Sequence, residues 1–300
     1  MRFCLEVWGT SYEDIRKTCV EAENLGYYGF YYGESLAEID MDCWTTIANL
    51  AAFTSKIKLG PVITYLFPQY RSIALLAKTA LTFQEVSDGR LEFRTGSGAT
   101  LQYASQWWDP FGIPYPKINE RLNILEEGLQ ILQKFWSGKP VFFDGKNFKI
   151  NAGTMKKNNK TIPITVAAKG EKMMAIAAKY ANVWEASYIS PEKFSLLNEK
   201  FREIRDNEER KDSDNIMRSI ELDVIIAESE SELDYKKKLF MMDRGPGVYN
   251  QVLRNGLVGT QDRVREKIEE YVDSGIEQFF LAFHDPFNIP ELELFIDLTR

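Results

Sequence analysis

The stretch Leu81-Thr82-Phe83-Gln84-Glu85-Val86-Ser87-Asp88-Gly89-Arg90-Leu91-Glu92-Phe93-Arg94-Thr95-Gly96-Ser97-Gly98 changes character halfway along. Its first part continues a helical pattern begun at residue 72. Gly89 stands where such a helix stops, because glycine takes the left-handed cap conformation without steric cost. Residues 91–95 form a short apolar run with the length and flanks of a strand. Gly96-Ser97-Gly98 then opens a loop rich in glycine, aromatics and proline that continues to residue 116.

Working outward, the same alternation recurs. The spacing predicts strands near residues 2–8, 28–32, 57–63, 91–95, 163–168, 182–186, 218–226 and 278–283. Helical patterns lie at 12–25, 43–54, 72–87, 117–137, 171–181, 191–210 and 261–275, with a last helix near 290–299. Gly26 and Gly275 mark further helix ends, and Ser190-Pro191 and Thr260-Gln261-Asp262 mark starts. Eight such units close most simply into an α/β fold, a (β/α)8 TIM barrel occupying residues 1–300 as one domain. Three stretches exceed the repeat: 96–116, 139–161 with an Asp144-Gly145 hairpin signal, and 239–259 with Gly245-Pro246-Gly247. They are expected as insertion loops over the C-terminal face, where a barrel keeps its working groups.

Composition excludes several classes. A formal net charge of −7 argues against a protein whose main work is holding nucleic acid or an acidic membrane, since phosphate neutralisation needs concentrated Lys and Arg. No long apolar run suits a membrane span or an export signal. Cys4, Cys19 and Cys43 fit neither a disulfide framework nor a zinc site, which leads to a cytoplasmic expectation. A single histidine, His284, argues against a metal centre and against a Ser-His-Asp triad.

Five collinear segments carry a resemblance. They are Ala22 to Leu36 with its Gly29-Phe30 turn and Glu34; Thr54 to Thr64; Leu81 to Gly98; Phe111-Gly112-Ile113-Pro114 with Arg121, Glu126 to Leu132 and Trp136-Ser137-Gly138; and Ile164 to Met173 with Ala177 to Trp184. Together they resemble the bacterial-luciferase-like superfamily, and within it the coenzyme F420-dependent group that includes methylenetetrahydromethanopterin reductases and F420-dependent glucose-6-phosphate dehydrogenases. The resemblance implies an oxidoreductase moving a hydride between F420 and a small organic substrate. The alternatives are an FMN-dependent monooxygenase fed by a partner reductase, or a catalytically silent flavin-binding relative. It also implies a homodimer paired through helices 2 and 3, consistent with the apolar residues Trp44, Ile47, Leu50, Ala51 and Phe53. Two departures stand out: Ser35 where the family carries a His after its strand-2 acid, and Ala99 where the sugar-phosphate dehydrogenases carry a Glu. They disfavour glucose 6-phosphate oxidation by that mechanism and weaken luciferase-type oxygenation.

The expected site follows. Glu6, near the C-terminal end of an apolar strand, would point into the bowl, where desolvation raises its pKa for proton transfer; the alternative is a structural acid paired with a barrel Arg or Lys. Glu34 falls at the family's acid that contacts the cofactor headgroup. Gly96, Ser97, Gly98, Ala168, Lys169, Gly170 and Lys172 would approach the cofactor with bare backbone and positive charge at a helix start. The resemblance lays the ring over strand 3, on a bulge at Val62-Ile63 with a non-prolyl cis bond between them and Thr64 at its edge. Trp8, Trp44, Tyr103 and His284 are the expected substrate-pocket residues.

Overall fold

The computed structural model describes residues 1–9, 11–37, 41–208, 210 and 215–299. The elements run β1 (Arg2–Val7), α1 (Tyr12–Leu25), β2 (Gly29–Gly33), α2 (Cys43–Leu50), β3 (Lys58–Val62), α3 (Ile73–Val86), β4 (Phe93–Gly96), α4 (Leu101–Ala104) and α5 (Ile118–Trp136). They continue β5 (Val141–Asp144), β6 (Lys149–Gly153), β7 (Ile164–Ala167), α6 (Glu171–Tyr180), β8 (Val183–Ser187), α7 (Pro191–Asp206) and β9 (Met217–Ala227). The chain ends α8 (Glu230–Asn255), β10 (Leu257–Thr260), α9 (Gln261–Asp273), β11 (Gln278–Phe283) and α10 (Ile289–Asp297). The helix expected over 191–210 stops at Asp206, and Glu209 lies outside the described residues.

The barrel strands stand side by side in the order β3-β2-β1-β11-β9-β8-β7-β4, every neighbouring pair parallel. Each residue of β2 and β11 is buried, as expected of strands covered on one side by helices and on the other by a filled barrel interior. The ring closes between β3 and β4 through two isolated bridges, Leu59 with Leu91 and Thr64 with Thr95. From the first bridge to the second, β3 advances five residues and β4 four, so β3 carries one extra residue, a bulge. Pro61 lies within it and has no N–H for the ladder.

The peptide between Val62 and Ile63 is trans, and no cis bond occurs among the described residues, which corrects the expected cis geometry. The extra residue and Pro61 bend the strand without the roughly 3–4 kcal/mol cost of a non-prolyl cis bond.

The third segment of the resemblance proves to be a structural lock. Arg90 donates to Ala51 O (2.6 Å), Thr54 Oγ1 (2.7 Å) and Ser87 O (2.7 Å), tying the ends of α2 and α3 to the start of β4. Gly60 is there because a Cβ would lie 2.2 Å from Glu92 O.

The insertions differ in kind. Residues 139–161 contain the antiparallel β5–β6 hairpin around Asp144-Gly145. Residues 239–259 are not a loop, as the glycines had led one to expect. They belong largely to α8, which breaks at Gly245 (φ 77°, ψ 164°), and β10 pairs in parallel with the C-terminal end of β9, Val224–Ala227. Only one residue of the Gly-Pro-Gly run leaves helical geometry, so the apolar pattern resumes beyond it. Of the apolar residues on α2 and the turn after it, Trp44, Ile47, Leu50 and Ala51 are buried within this chain and Phe53 is exposed.

Candidate active site

The inward faces of β1, β4, β8 and β9 meet inside the barrel. Arg94, fully buried, pairs with Glu6, with Glu185 through Nε (2.5 Å) and Nη2 (2.7 Å), and with Glu221 through Nη2 (2.9 Å). Its guanidinium lies 4.2 Å from the Phe280 ring centroid. Glu6 is therefore held by a barrel arginine. Burial pushes its pKa well up against the pull of Arg94, and its Oε2 has no hydrogen-bond partner among the described residues. Burial likewise raises Glu185, to about 7. Tyr188, directly after β8, donates to Glu221 and has φ 55°, a left-handed conformation uncommon for an aromatic residue.

Above this layer, at the C-terminal ends of the strands, a cavity of about 310 Å³ opens. Trp8, Phe240, Ala282, Phe283 and Phe287 give it apolar walls, and Asp223, Asp243, Arg244, His284 and Asp285 supply polar groups. His284 Nε2 lies 3.3 Å from Asp243 Oδ2, and its ring packs against Phe240. Asp223 is pushed up to about 6, by burial first and by Glu221 second, with Arg244 opposing.

On the opposite flank, Glu34 accepts from Thr64 Oγ1 (2.6 Å) and Tyr70 OH (3.1 Å) and pairs with Arg71 (2.8 Å). Trp44 Nε1 donates to the same Thr64 Oγ1 (3.2 Å). Burial raises the Glu34 pKa, and Arg71 resists the shift. Thr64 occupies this place because it sits just past the β3 bulge, where its N–H bonds Arg94 O (2.9 Å).

The turn after β4 is held by Arg121, which donates to Ser97 O (2.7 Å), Ala99 O (2.5 Å) and the Tyr115 hydroxyl (2.5 Å). A Cβ on Gly98 (φ 76°) would strike Tyr115 and Tyr65, so backbone and packing both favour glycine there, whereas one on Gly96 would only press on Ile63 and Ala167. Gly170 has open space where its Cβ would be and caps α6. Beside it, exposed Lys169 donates to Ser187 O (3.2 Å), and burial of its ammonium end lowers its pKa. Ala168 O accepts from Trp184 Nε1 (2.8 Å).

The structure thus brings Trp8 and His284 together at the mouth, and Glu34, Thr64 and Trp44 together on the β2–β3 flank, with Val62 and Ile63 leading into it. Trp44 packs outward against Phe83 and Phe93, exposed Tyr103 packs on Trp107, and Lys172 lines an outer groove between α5 and α6 with Asn123 and Lys179. None of these three lines the mouth cavity. Sequence reasoning missed Arg94, Glu185, Glu221, Asp223, Tyr188 and Arg71. A usable signal existed for the first four: each is a charged residue within an otherwise apolar strand, and Glu221 and Asp223 alternate on one face.

A flat heteroaromatic ring fits the mouth, which has aromatic walls, about the smallest volume typical of cofactor clefts, and a few convergent polar groups.

The family model for luciferase-like monooxygenases matches residues 5–278. A 5,10-methylenetetrahydromethanopterin reductase from Archaeoglobus fulgidus is 30% identical over 156 residues, covering 52% of this chain but only 44% of that protein. A pyrimidine monooxygenase, RutA, from Acinetobacter baylyi is 22% identical over 281 residues, 88% of this chain and 73% of its own length. The fold is shared with an F420-dependent secondary alcohol dehydrogenase solved with an F420-acetone adduct (TM-score 0.83, 16% identity, 100% of both chains). It is shared also with the oxygenating constituent of 3,6-diketocamphane monooxygenase from Pseudomonas putida, solved with FMN (TM-score 0.74, 18% identity, 99% of this chain and 96% of that one). With the barrel, its bulged third strand and the polar mouth in place, the chain belongs to the luciferase-like monooxygenase family.

Proposed function

We propose that the chain is an FMN-dependent oxidoreductase of the monooxygenase type, acting on a small organic substrate at the mouth of the barrel. The observation that carries this reading is the charge of the mouth: Asp223, Asp243 and Asp285 face one guanidinium, Arg244, and His284. Such a rim repels the oligocarboxylate tail of F420, whereas a single short phosphate tail can leave past it toward Gly170. The pyrimidine monooxygenase also spans more of the chain than the methylenetetrahydromethanopterin reductase, 88% against 52%.

When bound, the flavin supplies the two-electron chemistry. Trp8, Phe240 and Phe283 exclude water from it. Glu34, fixed by Thr64, Tyr70 and Arg71, would hold a polar group of the flavin on the β2–β3 flank. The N-terminus of α6 at Gly170 would hold the phosphate, with Lys169 beside it. Asp223, with a pKa of about 6, holds or takes a proton at the reacting end. We place this enzyme in the cytoplasm, as one barrel domain over residues 1–300, paired as a homodimer and served by a separate reductase.

The second reading is hydride transfer with F420. It is favoured by the pair Lys169 and Lys172 flanking an unobstructed Gly170, a basic ledge suited to an acidic tail. Titration of the purified protein with each cofactor, followed by absorbance, separates the two. Tighter binding of FMN by about tenfold or more is expected, and tighter binding of F420 overturns the first reading. Replacing Lys169 and Lys172 together by Ala then weakens F420 more than FMN only if the lysines meet the acidic tail, and the gap shrinks at high salt. Light scattering reads the homodimer, and a monomer of 34.6 kDa rejects it.

A further inference from the structure

Full ionisation of Glu6, Glu185 and Glu221 around Arg94 would leave two uncompensated negative charges in a layer where Arg94, Glu6 and Glu185 have no solvent exposure. Burying such charge costs far more than binding a proton. Lys169 feels the charges of Glu221 and Glu185, but its ammonium donates to Ser187 O and pairs with neither among the described residues. The group therefore retains a proton, and the partnerless Oε2 of Glu6 is the oxygen with room for it.

Access to this layer is one-sided. Among its members only Glu221, with a side chain 14% exposed, and the partly exposed Tyr188 have any solvent exposure. Glu221 and Asp223 share the inward face of β9, and Asp223 lines the cavity, so Glu221 lies one layer beneath the reacting end. Tyr188 is clamped at three points. Its N–H donates to Glu221 O (2.9 Å), its carbonyl accepts from Asn255 Nδ2 (2.8 Å), and its hydroxyl donates to Glu221 Oε1. A left-handed aromatic residue held in this way is the kind of strain that persists at working sites.

We propose that Tyr188 and Glu221 form a proton relay connecting the mouth to a proton store shared by Glu6, Glu185 and Glu221 around Arg94. In the uptake direction, the Tyr188 oxygen takes a proton from the reacting group while its own proton passes to Glu221 Oε1, which becomes a neutral carboxyl. The phenol is regenerated, and the buried negative charge falls by one. Delivery is the reverse. The groups facing the relay are Glu6 from β1, Arg94 from β4, Glu185 from β8, Asp223 from β9, and Lys169 from the turn before α6, with Arg244 of α8 beyond Asp223. The relay rests on the placement of the reaction at the mouth, but its test requires no cofactor and reads separately from the absorbance titration.

Infrared difference spectra of the cofactor-free protein in H2O and D2O report neutral carboxyl groups and the rate at which their protons exchange. A protonated-carboxyl band at pH 7 that disappears in Glu6→Gln is expected. Tyr188→Phe should keep the band but slow its deuterium shift by at least about tenfold, and Glu221→Gln should slow it likewise. Glu221→Gln carries the measurement should the phenylalanine variant fail to fold. Absence of the band from the wild-type protein, or an unchanged exchange rate in either folded variant, overturns the proposal.

Discussion

Two charged residues two positions apart, Glu92 just before β4 and Arg94 within it, are both buried and are treated in opposite ways. Glu92 has two phenols, Tyr28 (2.7 Å) and Tyr31, both donating to it. Arg94, one layer nearer the mouth, is shared by three carboxylates, one of which keeps an oxygen without a partner. In the lower layer both carboxylate oxygens of Glu92 have a donor. The upper layer is electrostatically unbalanced and opens toward the cavity. Satisfied polar layers specify a fold, and imbalance beside a cavity is what a reaction site uses.

The sharpest way to break the contrast is Arg94→Leu. Removing the shared cation leaves three buried carboxyls unpaired and should cost at least about 3–5 kcal/mol at neutral pH. Because those groups must then stay protonated in the folded state, part of the loss should return at pH 5, which thermal unfolding at pH 5 and pH 8 would show. Equal loss at both pH values would contradict an electrostatic role.

Glu92→Leu tests the lower layer. Two buried hydroxyls lose their acceptor, at a cost of about 2–4 kcal/mol, while flavin affinity should be unchanged. A variant that binds the flavin poorly at full stability would erase the distinction between the layers.

The smallest effect belongs to Asp223→Asn. The folded value near 6 lies above the ordinary carboxyl value of about 3.9, so the folded state binds the extra proton. The stability this confers is complete below about pH 4 and is lost as pH rises through about 6. The amide has no such loss, so the variant should gain on the wild type by about 2–3 kcal/mol between pH 4 and pH 8, as urea denaturation would measure. Turnover should also lose its pH-dependent limb near 6. A constant stability difference across that range would remove Asp223 from the proton-carrying groups.

The eight barrel strands and the family were legible from the sequence because period and turn chemistry are local. Gly89, with φ 85° and its N–H on Gln84 O, ends α3 within about one turn of where it stands in the chain. What escaped was non-local. Arg94 was quoted only as part of a motif, since nothing in Phe93-Arg94-Thr95 tells that it will meet residues 6, 185 and 221. Glu6 was singled out as an acid on an apolar strand, but sequence alone left open whether it would face the bowl or a partner arginine. Gly245-Pro246-Gly247 read as a loop because composition records breakers, whereas α8 bends once and resumes. Tyr103 and Lys172 were assigned by position after a strand, and the radial direction of a side chain is not written in that position.

The bulged joint between β3 and β4 also makes the molecule its own reporter. Seven of the eight inter-strand joints are continuous ladders and this one is held at two places, so its amides should exchange with solvent first when the native state opens locally. Thr64 lies on that joint and also holds Glu34. A ligand that engages Glu34 and Thr64 would therefore act as a clasp, and slower amide exchange at Thr64 would register its arrival whether or not any chemistry follows.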